Sequence, residues 1–343
     1  MPFKRTSLAA VMVAAIAFSI PATRVAAEPQ PPVRVLFCIA DDASPHFGAY
    51  GCTWAKTPTI DRLAREGVTF DRAYTPTAKC SPSRAAILTG RYPWQLEAAA
   101  NHNPFFPPEY KAFTEALADA GVAVGAAGKF WSPGVAKTAD GSDRTALTDR
   151  TNLIDRTWGI GPPGLAKSGQ AAGRYREFLA GLPADKPAFF WFGSTNPHRP
   201  YARDAGLAAG KKPADIDRVP GYWPDDEIVR RDMLDYATRI EAFDAEVAAL
   251  LDLLEQSGQA DNTIVIVTSD HGMPFPRVKG HCFEAAHRVP LIVRLPSGRG
   301  KAGGRRVQDF VNFVDLAPTF LELFGIATET SGMRPITGRS IME

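Results

Sequence analysis

The chain has 343 residues, of which 45% are hydrophobic, 22% charged and 10% aromatic. These are the values of a globular protein long enough for one large α/β domain or two ordinary ones, and they exclude a disordered, collagen-like or coiled-coil chain. The formal net charge is only +2, too balanced for a nucleic-acid-binding surface.

Residues 1–27 read as an export signal. Lys4 and Arg5 form a charged start, Leu8 to Ile20 is mostly apolar, and Arg24-Val25-Ala26-Ala27 offers small residues for cleavage. The apolar run is shorter than the roughly 20 residues a membrane span needs. The expected location is therefore secreted or periplasmic. The excess of positive charge sits in this segment: 39 basic residues, less Lys4, Arg5 and Arg24, face 37 acidic ones. Residues 28–343 are expected to form one catalytic domain.

Val33 to Ala40 is a continuous apolar run, the pattern of a strand buried on both faces. Thr59 to Glu66 predicts a helix and Val68 to Tyr74 a strand. A loop then carries Lys79-Cys80-Ser81-Pro82-Ser83-Arg84, with Ser81 as the expected helix cap and Pro82 in the first turn. Tyr110 to Ala120 reads as helix and Val122 to Ala127 as strand. Residues 140–170 are rich in Gly, Pro and polar side chains and predict a surface excursion. Arg174 to Ala180 reads as helix and Pro187 to Gly193 as another buried strand. Ile240, Phe243, Val247, Leu250, Leu251 and Leu254 recur at helical spacing inside 225–256. Thr263 to Thr268 and Val289 to Leu295 read as strands, and Asp315 to Phe324 as a helix. Strands alternating with helices predict a mostly parallel sheet covered on both faces, with ligands bound beyond the carboxyl ends of the strands.

Two predicted strands end in acids, Asp41-Asp42 and Asp270-His271. Adjacent carboxylates repel and lose hydration when buried, so they persist where a cation neutralises them. Asp41, Asp42 and Asp270 offer oxygens to a hard ion such as Ca²⁺ or Mg²⁺. The imidazole of His271 suits Mn²⁺ or Zn²⁺ better. Of the four cysteines, Cys38 lies inside an apolar strand and reads as packing. Cys52 and Cys282 could pair in an oxidising compartment. Cys80 precedes a helix start, with Arg84 one turn on, so positive potential gathers near its sulfur.

The segment CSPSRAAILTGR, Cys80 to Arg91, matches the C-x-P-S-R-x-x-x-L-T-G signature of type I sulfatases. Asp41-Asp42 matches their first metal motif, GKFW (Gly128 to Trp131) resembles their Gly-Lys motif, NPHRP (Asn196 to Pro200) their His motif, and SDHGMPFPRVKG (Ser269 to Gly280) their second metal motif. The ordered set spans residues 35 to about 325, nearly the whole chain after the export signal. The resemblance implies an alkaline-phosphatase-like α/β fold, a mostly parallel sheet sandwiched by helices. It also implies conversion of Cys80 to formylglycine by a formylglycine-generating enzyme, one Ca²⁺, and release of sulfate through attack of the formylglycine hydrate on sulfur. By resemblance, Asp41, Asp42, Asp270, His271 and the modified Cys80 hold the ion. Arg84 steadies the formylglycine, Lys129 and Lys279 contact sulfate oxygens, and His198 protonates the leaving atom. The implied substrate is a sulfated sugar. GMPFP and NPHRP resemble the heparan N-sulfatase branch; the Asp-His pair and GKFWSPG resemble iduronate-2-sulfatase. Both branches act on glycosaminoglycan sugars.

Two features depart from the family pattern. Relatives place a His two or three positions after the Gly-Lys lysine, where this chain has Trp131 and Ser132, and His102, His281 and His287 stay without a role. The chain stops at Glu343, so the usual small C-terminal subdomain is expected to be missing or truncated. These departures keep open an inactive homologue that binds sulfated glycans. A phosphatase or phosphodiesterase on the same fold is a further alternative, disfavoured because six histidines in all is few for a two-metal site. P-loop and dinucleotide fingerprints are absent: Ala123 and Phe130 stand where a P-loop needs Gly and Ser or Thr.

Overall fold

The computed structural model describes residues 33–144, 165–296 and 303–342. The expected export signal and residues 145–164 of the predicted surface excursion lie outside the described residues. The strands are β1 (Arg34–Ala40), β2 (Val68–Tyr74), β3 (Phe105–Phe106), β4 (Ala123–Gly128), β5 (Val135–Ala136), β6 (Ala188–Gly193), β7 (Thr263–Ser269), β8 (Arg288–Val289), β9 (Leu291–Arg294) and β10 (Arg305–Asn312). The helices are α1 (Pro58–Glu66), α2 (Cys80–Thr89), α3 (Phe113–Asp119), α4 (Leu165–Ala180), α5 (Ala205–Ala208), α6 (Glu227–Gln256), α7 (Glu284–His287) and α8 (Leu316–Leu323).

The main sheet has the order β10-β2-β9-β7-β1-β6-β4, with β8 paired to β2. β7, β1, β6 and β4 run parallel, as do β10 and β2, while β9 is antiparallel to both neighbours. The sheet is thus mostly parallel, as the alternation of elements predicts. β1 sits between β6 and β7 and is buried throughout. Its side chains alternate between two cores, because successive strand residues face opposite sides. Leu36, Cys38 and Ala40 join a cluster with α1 and α6; Val35, Phe37 and Ile39 join one with α2, α3 and α8. Cys38 is packing, as expected.

The long helix α6 buries every apolar residue that the helical spacing picks out, Ile240 through Leu254. The Asp226 carboxylate caps it by accepting from Val229 N–H at 2.9 Å. α6 in turn caps α1 from outside: Asp244 accepts from the N–H groups of Thr59 and Ile60 at 3.2 and 2.8 Å. Those are orphan donors of a helix start, satisfied here by a tertiary partner.

Several sequence expectations change. The run Val289 to Leu295 is two strands, because Pro290 supplies no N–H to the ladder. The helix expected at Arg174 begins at Leu165, and the one expected at Tyr110 begins only at Phe113. β10 escapes sequence reading altogether: its RRVQDFVN is mostly exposed and pairs on one side only, and charged residues are what edge strands carry. All four cysteines are free, so Cys52 and Cys282 form no disulfide.

Candidate active site

Four neighbouring parallel strands end at one edge of the sheet, and the loops that leave them build the site. Ala40 of β1 and Ser269 of β7 are register partners, so Asp41-Asp42 and Asp270-His271 emerge side by side. Asp42 N–H donates to Asp270 Oδ1 at 3.0 Å. Asp42 holds a φ of 75°, a left-handed conformation that Asp tolerates better than most residues. At the ends of β4 and β6 the backbones nearly touch. A Cβ on Gly193 would lie 1.6 Å from the Lys129 carbonyl oxygen, so glycine is required for Lys129 to turn into the site.

β2 ends at Tyr74, and a short loop leads to α2, whose first residue is Cys80. Lys79 occupies the N-cap position and makes no side-chain capping bond, so the expected Ser81 cap is not there. The Ser81 hydroxyl instead donates to the Pro133 carbonyl, and the Ser81 carbonyl accepts from the Trp131 indole N–H at 3.0 Å. Trp131, two residues after Lys129, therefore braces the start of α2. Ser83 Oγ donates to the Asp270 carbonyl at 2.6 Å and lies 2.8 Å from Thr75 Oγ1. These bonds seat Cys80 against the acids.

Cys80 Sγ lies 3.4 Å from His271 Nε2, 3.6 Å from Asp41 Oδ1 and 4.0 Å from Asp42 Oδ1. Donor atoms of Asp41, Cys80, Asp270 and His271 all fall within 4.8 Å of one another, and Asp42, Cys80 and His198 form an overlapping group. Arg84 is fully buried. Its Nε donates to Asp270 Oδ2 at 2.9 Å, and Nη1 donates to the carbonyls of Lys129 and Phe130 at 2.7 and 3.0 Å. Lys129 Nζ sits 2.7–2.8 Å from both oxygens of Asp41, and Lys279 Nζ 2.7–2.8 Å from both oxygens of Asp42. His198 Nε2 is 3.8 Å from Asp42 Oδ2. The structure thus gathers every residue the sequence picks out: Asp41, Asp42, Cys80, Arg84, Lys129, His198, Asp270, His271 and Lys279. The lysines are on carboxylates, an arrangement the sequence did not suggest.

Three buried carboxylates are tolerated because cations surround them. Burial alone would push the Asp41 carboxyl up, but Lys129, His198 and Arg84 hold it well below the usual range. Asp42 is held low in the same way, by His271, Lys279 and His198. The reverse holds for His271, where burial is outweighed by Asp270 and Asp42 and the imidazole is pushed far up. A bound cation would take the place of that proton. The remaining geometry suits one. His271 Nδ1 is 3.0 Å from the Gly272 carbonyl, so it carries a hydrogen, and Nε2 faces the acids, 3.0 Å from Asp42 Oδ1, where a cation would take its lone pair once its proton is displaced. Arg84 Nη2 is buried without a hydrogen-bond partner, 3.9 Å from Asp41 Oδ1. An orphaned buried donor beside the thiol marks room for a further oxygen there.

Sequence reasoning missed the brace behind Asp41. Asp41 N–H donates to the Asn196 carbonyl at 2.9 Å. The Asn196 side chain donates to Glu246 Oε1 at 2.9 Å, and the Ser194 hydroxyl donates to Glu246 Oε2. Glu246 stands on α6, remote in sequence, and only its burial among polar partners reveals it. Glu246→Ala strands two buried donors at about 1–3 kcal/mol, and should lower Tm by several degrees. Glu246→Gln, which keeps one acceptor oxygen, should fall between; calorimetry checks both. Of the histidines without a role, His102 is exposed at the surface, and its imidazole is pushed down by partial desolvation and by Lys79, Lys279 and Lys129, so it lies in the positive field of the same site. His287 Nδ1 is 2.9 Å from the Thr75 carbonyl, bracing the loop before Cys80.

The family model described as Sulfatase matches residues 34–326. An ulvan-active sulfatase of Formosa agariphila is 27% identical over 85% of this chain and 52% of its own length. Human N-sulphoglucosamine sulphohydrolase is 28% identical over 91% of this chain and 65% of its own. The chain therefore spans between about half and two thirds of the length of these curated relatives. Among solved structures, a putative sulfatase from Bacteroides fragilis superposes with a TM-score of 0.67 at 22% identity, over 92% of this chain and 78% of that one. That likeness establishes the shared alkaline-phosphatase-like fold.

Proposed function

The chain belongs to the sulfatase family, and from that premise we propose that it hydrolyses a sulfuric ester or N-sulfo group on a sulfated sugar at the site around Cys80. The observation that carries this reading is the thiol of Cys80, at the first residue of α2 and within 3.4–4.0 Å of His271, Asp41 and Asp42. Formylglycine made from Cys80 would supply the nucleophile as its hydrate. Cys80 is 1% exposed, so a formylglycine-generating enzyme has to meet it before the loop folds down. That maturation, with residues 1–27 as export signal, supports a secreted or periplasmic protein. No helix among the described residues is long and apolar enough to cross a membrane.

Asp41, Asp42, Asp270, His271 and the modified Cys80 would hold one divalent ion. It would add positive charge next to the sulfate oxygens. We propose Ca²⁺, because the carboxylate oxygens outnumber the single imidazole. Adding Ca²⁺ to metal-stripped protein should raise Tm by a few degrees. At 100 times the Kd the linkage is about 2.7 kcal/mol. Stabilisation by Zn²⁺ or Mn²⁺ but not Ca²⁺ would contradict the choice of ion.

The protein's own groups do the rest. A sulfate group spreads its charge over its oxygens, so catalysis is positioning and electrostatic stabilisation. Lys129 and Lys279 turn their ammonium groups from Asp41 and Asp42 to the sulfate oxygens. Burial beside the acids keeps both lysines charged, their pKa values raised by Asp41 and Asp42 against desolvation. Arg84 presents Nη2 to the hydrated aldehyde. His198 Nδ1 contacts the Arg199 carbonyl, which leaves Nε2 facing the site. From there it gives a proton to the departing oxygen or nitrogen as the bond to sulfur breaks.

The substrate class rests on the relatives. By its name, the human relative acts on N-sulphoglucosamine, and we propose a glycosaminoglycan-derived sugar for this chain. The test is inorganic sulfate release from matched N-sulfated and O-sulfated glucosamines. Release from either supports the reading. Binding of both without release would favour an inactive glycan-binding homologue. Release of phosphate from phosphate esters alone would favour a phosphatase.

A further inference from the structure

A cavity of about 430 Å³ opens where β10 and β2 end, lined in part by Tyr74, Tyr92, Phe310 and Arg339. Its aromatic surface faces solvent. Phe310 is 67% exposed, and Trp94, 74% exposed, lies flat on Tyr92 with ring centroids 4.4 Å apart. Exposed aromatic faces beside a cavity of this size are a common lining of ligand and interaction sites. Both signs of charge border it, and the Glu284 carboxylate is held by the Tyr74 hydroxyl at 3.0 Å. Arg72 lies over the Phe310 ring at 5.1 Å. Among the described residues neither Arg72 nor Arg339 has a carboxylate within ion-pair distance. The acid that lines the cavity, Asp315, is already engaged, accepting from the backbone N–H groups of Asn312 and Arg339 at 2.9 and 3.0 Å.

We propose that this cavity binds an anionic sugar unit of the substrate chain, remote from the bond being cut. The ring faces of Tyr74, Phe310 and the Tyr92–Trp94 stack would pack against the sugar. The guanidinium groups of Arg72 and Arg339 would take a sulfate or carboxylate in their planar fork. The placement suits one chain reaching both sites. Tyr74 is the last residue of β2, and Cys80 follows six residues later, a span of at most about 22 Å of extended backbone. The inference rests on the sulfated-sugar reading and makes the substrate an oligosaccharide.

The probe is a size-defined heparin hexasaccharide, with its fully desulfated counterpart as control. Binding is measured by calorimetry and sulfate release in parallel, for the wild type, the double variant Arg72→Gln/Arg339→Gln and the separate variant Trp94→Ala. All three side chains are exposed, so melting temperatures should match. The expected result is at least tenfold weaker binding of the hexasaccharide by both variants and no change for the desulfated control. Equal affinity in all three proteins would overturn the proposal, as would no binding by the wild type. A shift of the wild type's sedimentation mass that the variants abolish would overturn it in favour of contact between two copies of this chain. Variant-dependent binding without any sulfate release would leave the cavity standing and overturn the hydrolytic reading. Sulfate release with variant-independent affinity would overturn the cavity alone.

Discussion

Cys80→Ala should abolish sulfate release while leaving the fold intact. In hydrolases whose nucleophile is removed, turnover falls by factors on the order of 10⁶, which here means loss of detectable release. The structural cost is small, because the thiol occupies a site and not a core layer. Its neighbours are Asp41, Asp42 and His271, and those stay paired to Lys129, Lys279 and one another. A melting temperature close to the wild type's, with release gone, is the expected pair of results. Persisting release would place the nucleophile elsewhere.

Arg84→Lys should damage both activity and stability. The guanidinium makes three hydrogen bonds in different directions, to the Asp270 carboxylate and to the carbonyls of Lys129 and Phe130. A lysine ammonium at the end of a flexible stem cannot span them, so a fork is not replaced by a point charge. Asp270 and Arg84 are both fully buried, and breaking a buried pair costs about 3–5 kcal/mol. Arg84→Met should sit at the upper end of that range, and Arg84→Lys, which keeps the charge, lower. In turnover, losing one donor fixed toward a developing charge costs about 10²–10³. Calorimetry and sulfate release on the same preparations separate the two effects. A variant as stable and as active as the wild type would remove Arg84 from the account.

The chemistry was legible in the sequence because each motif is local and each follows a strand that announces itself. Val33 to Ala40, Pro187 to Gly193 and Thr263 to Thr268 are mostly apolar runs, and the parallel sheet places their ends together. What failed to show depends on distant partners or on exposure. β10 carries the charges of an edge strand, so no apolar run marks it. The Glu246 brace joins α6 to Asn196 across 50 residues, a pairing no spacing encodes. Ser81 looks like a cap, yet the helix begins one residue earlier and the hydroxyl bonds Pro133. The pairing of Lys129 and Lys279 with Asp41 and Asp42 follows from burial, since lysines at a buried site need counter-charge.

The central claim is that Cys80 becomes the reacting group. The most direct test is the mass of the tryptic peptide Cys80 to Arg84, taken from protein that has been exported, passed a formylglycine-generating enzyme and releases sulfate. The account predicts the aldehyde form, lighter than the cysteine peptide by the difference between a thiol-bearing and an aldehyde side chain. An unmodified thiol throughout a preparation that releases sulfate would contradict it.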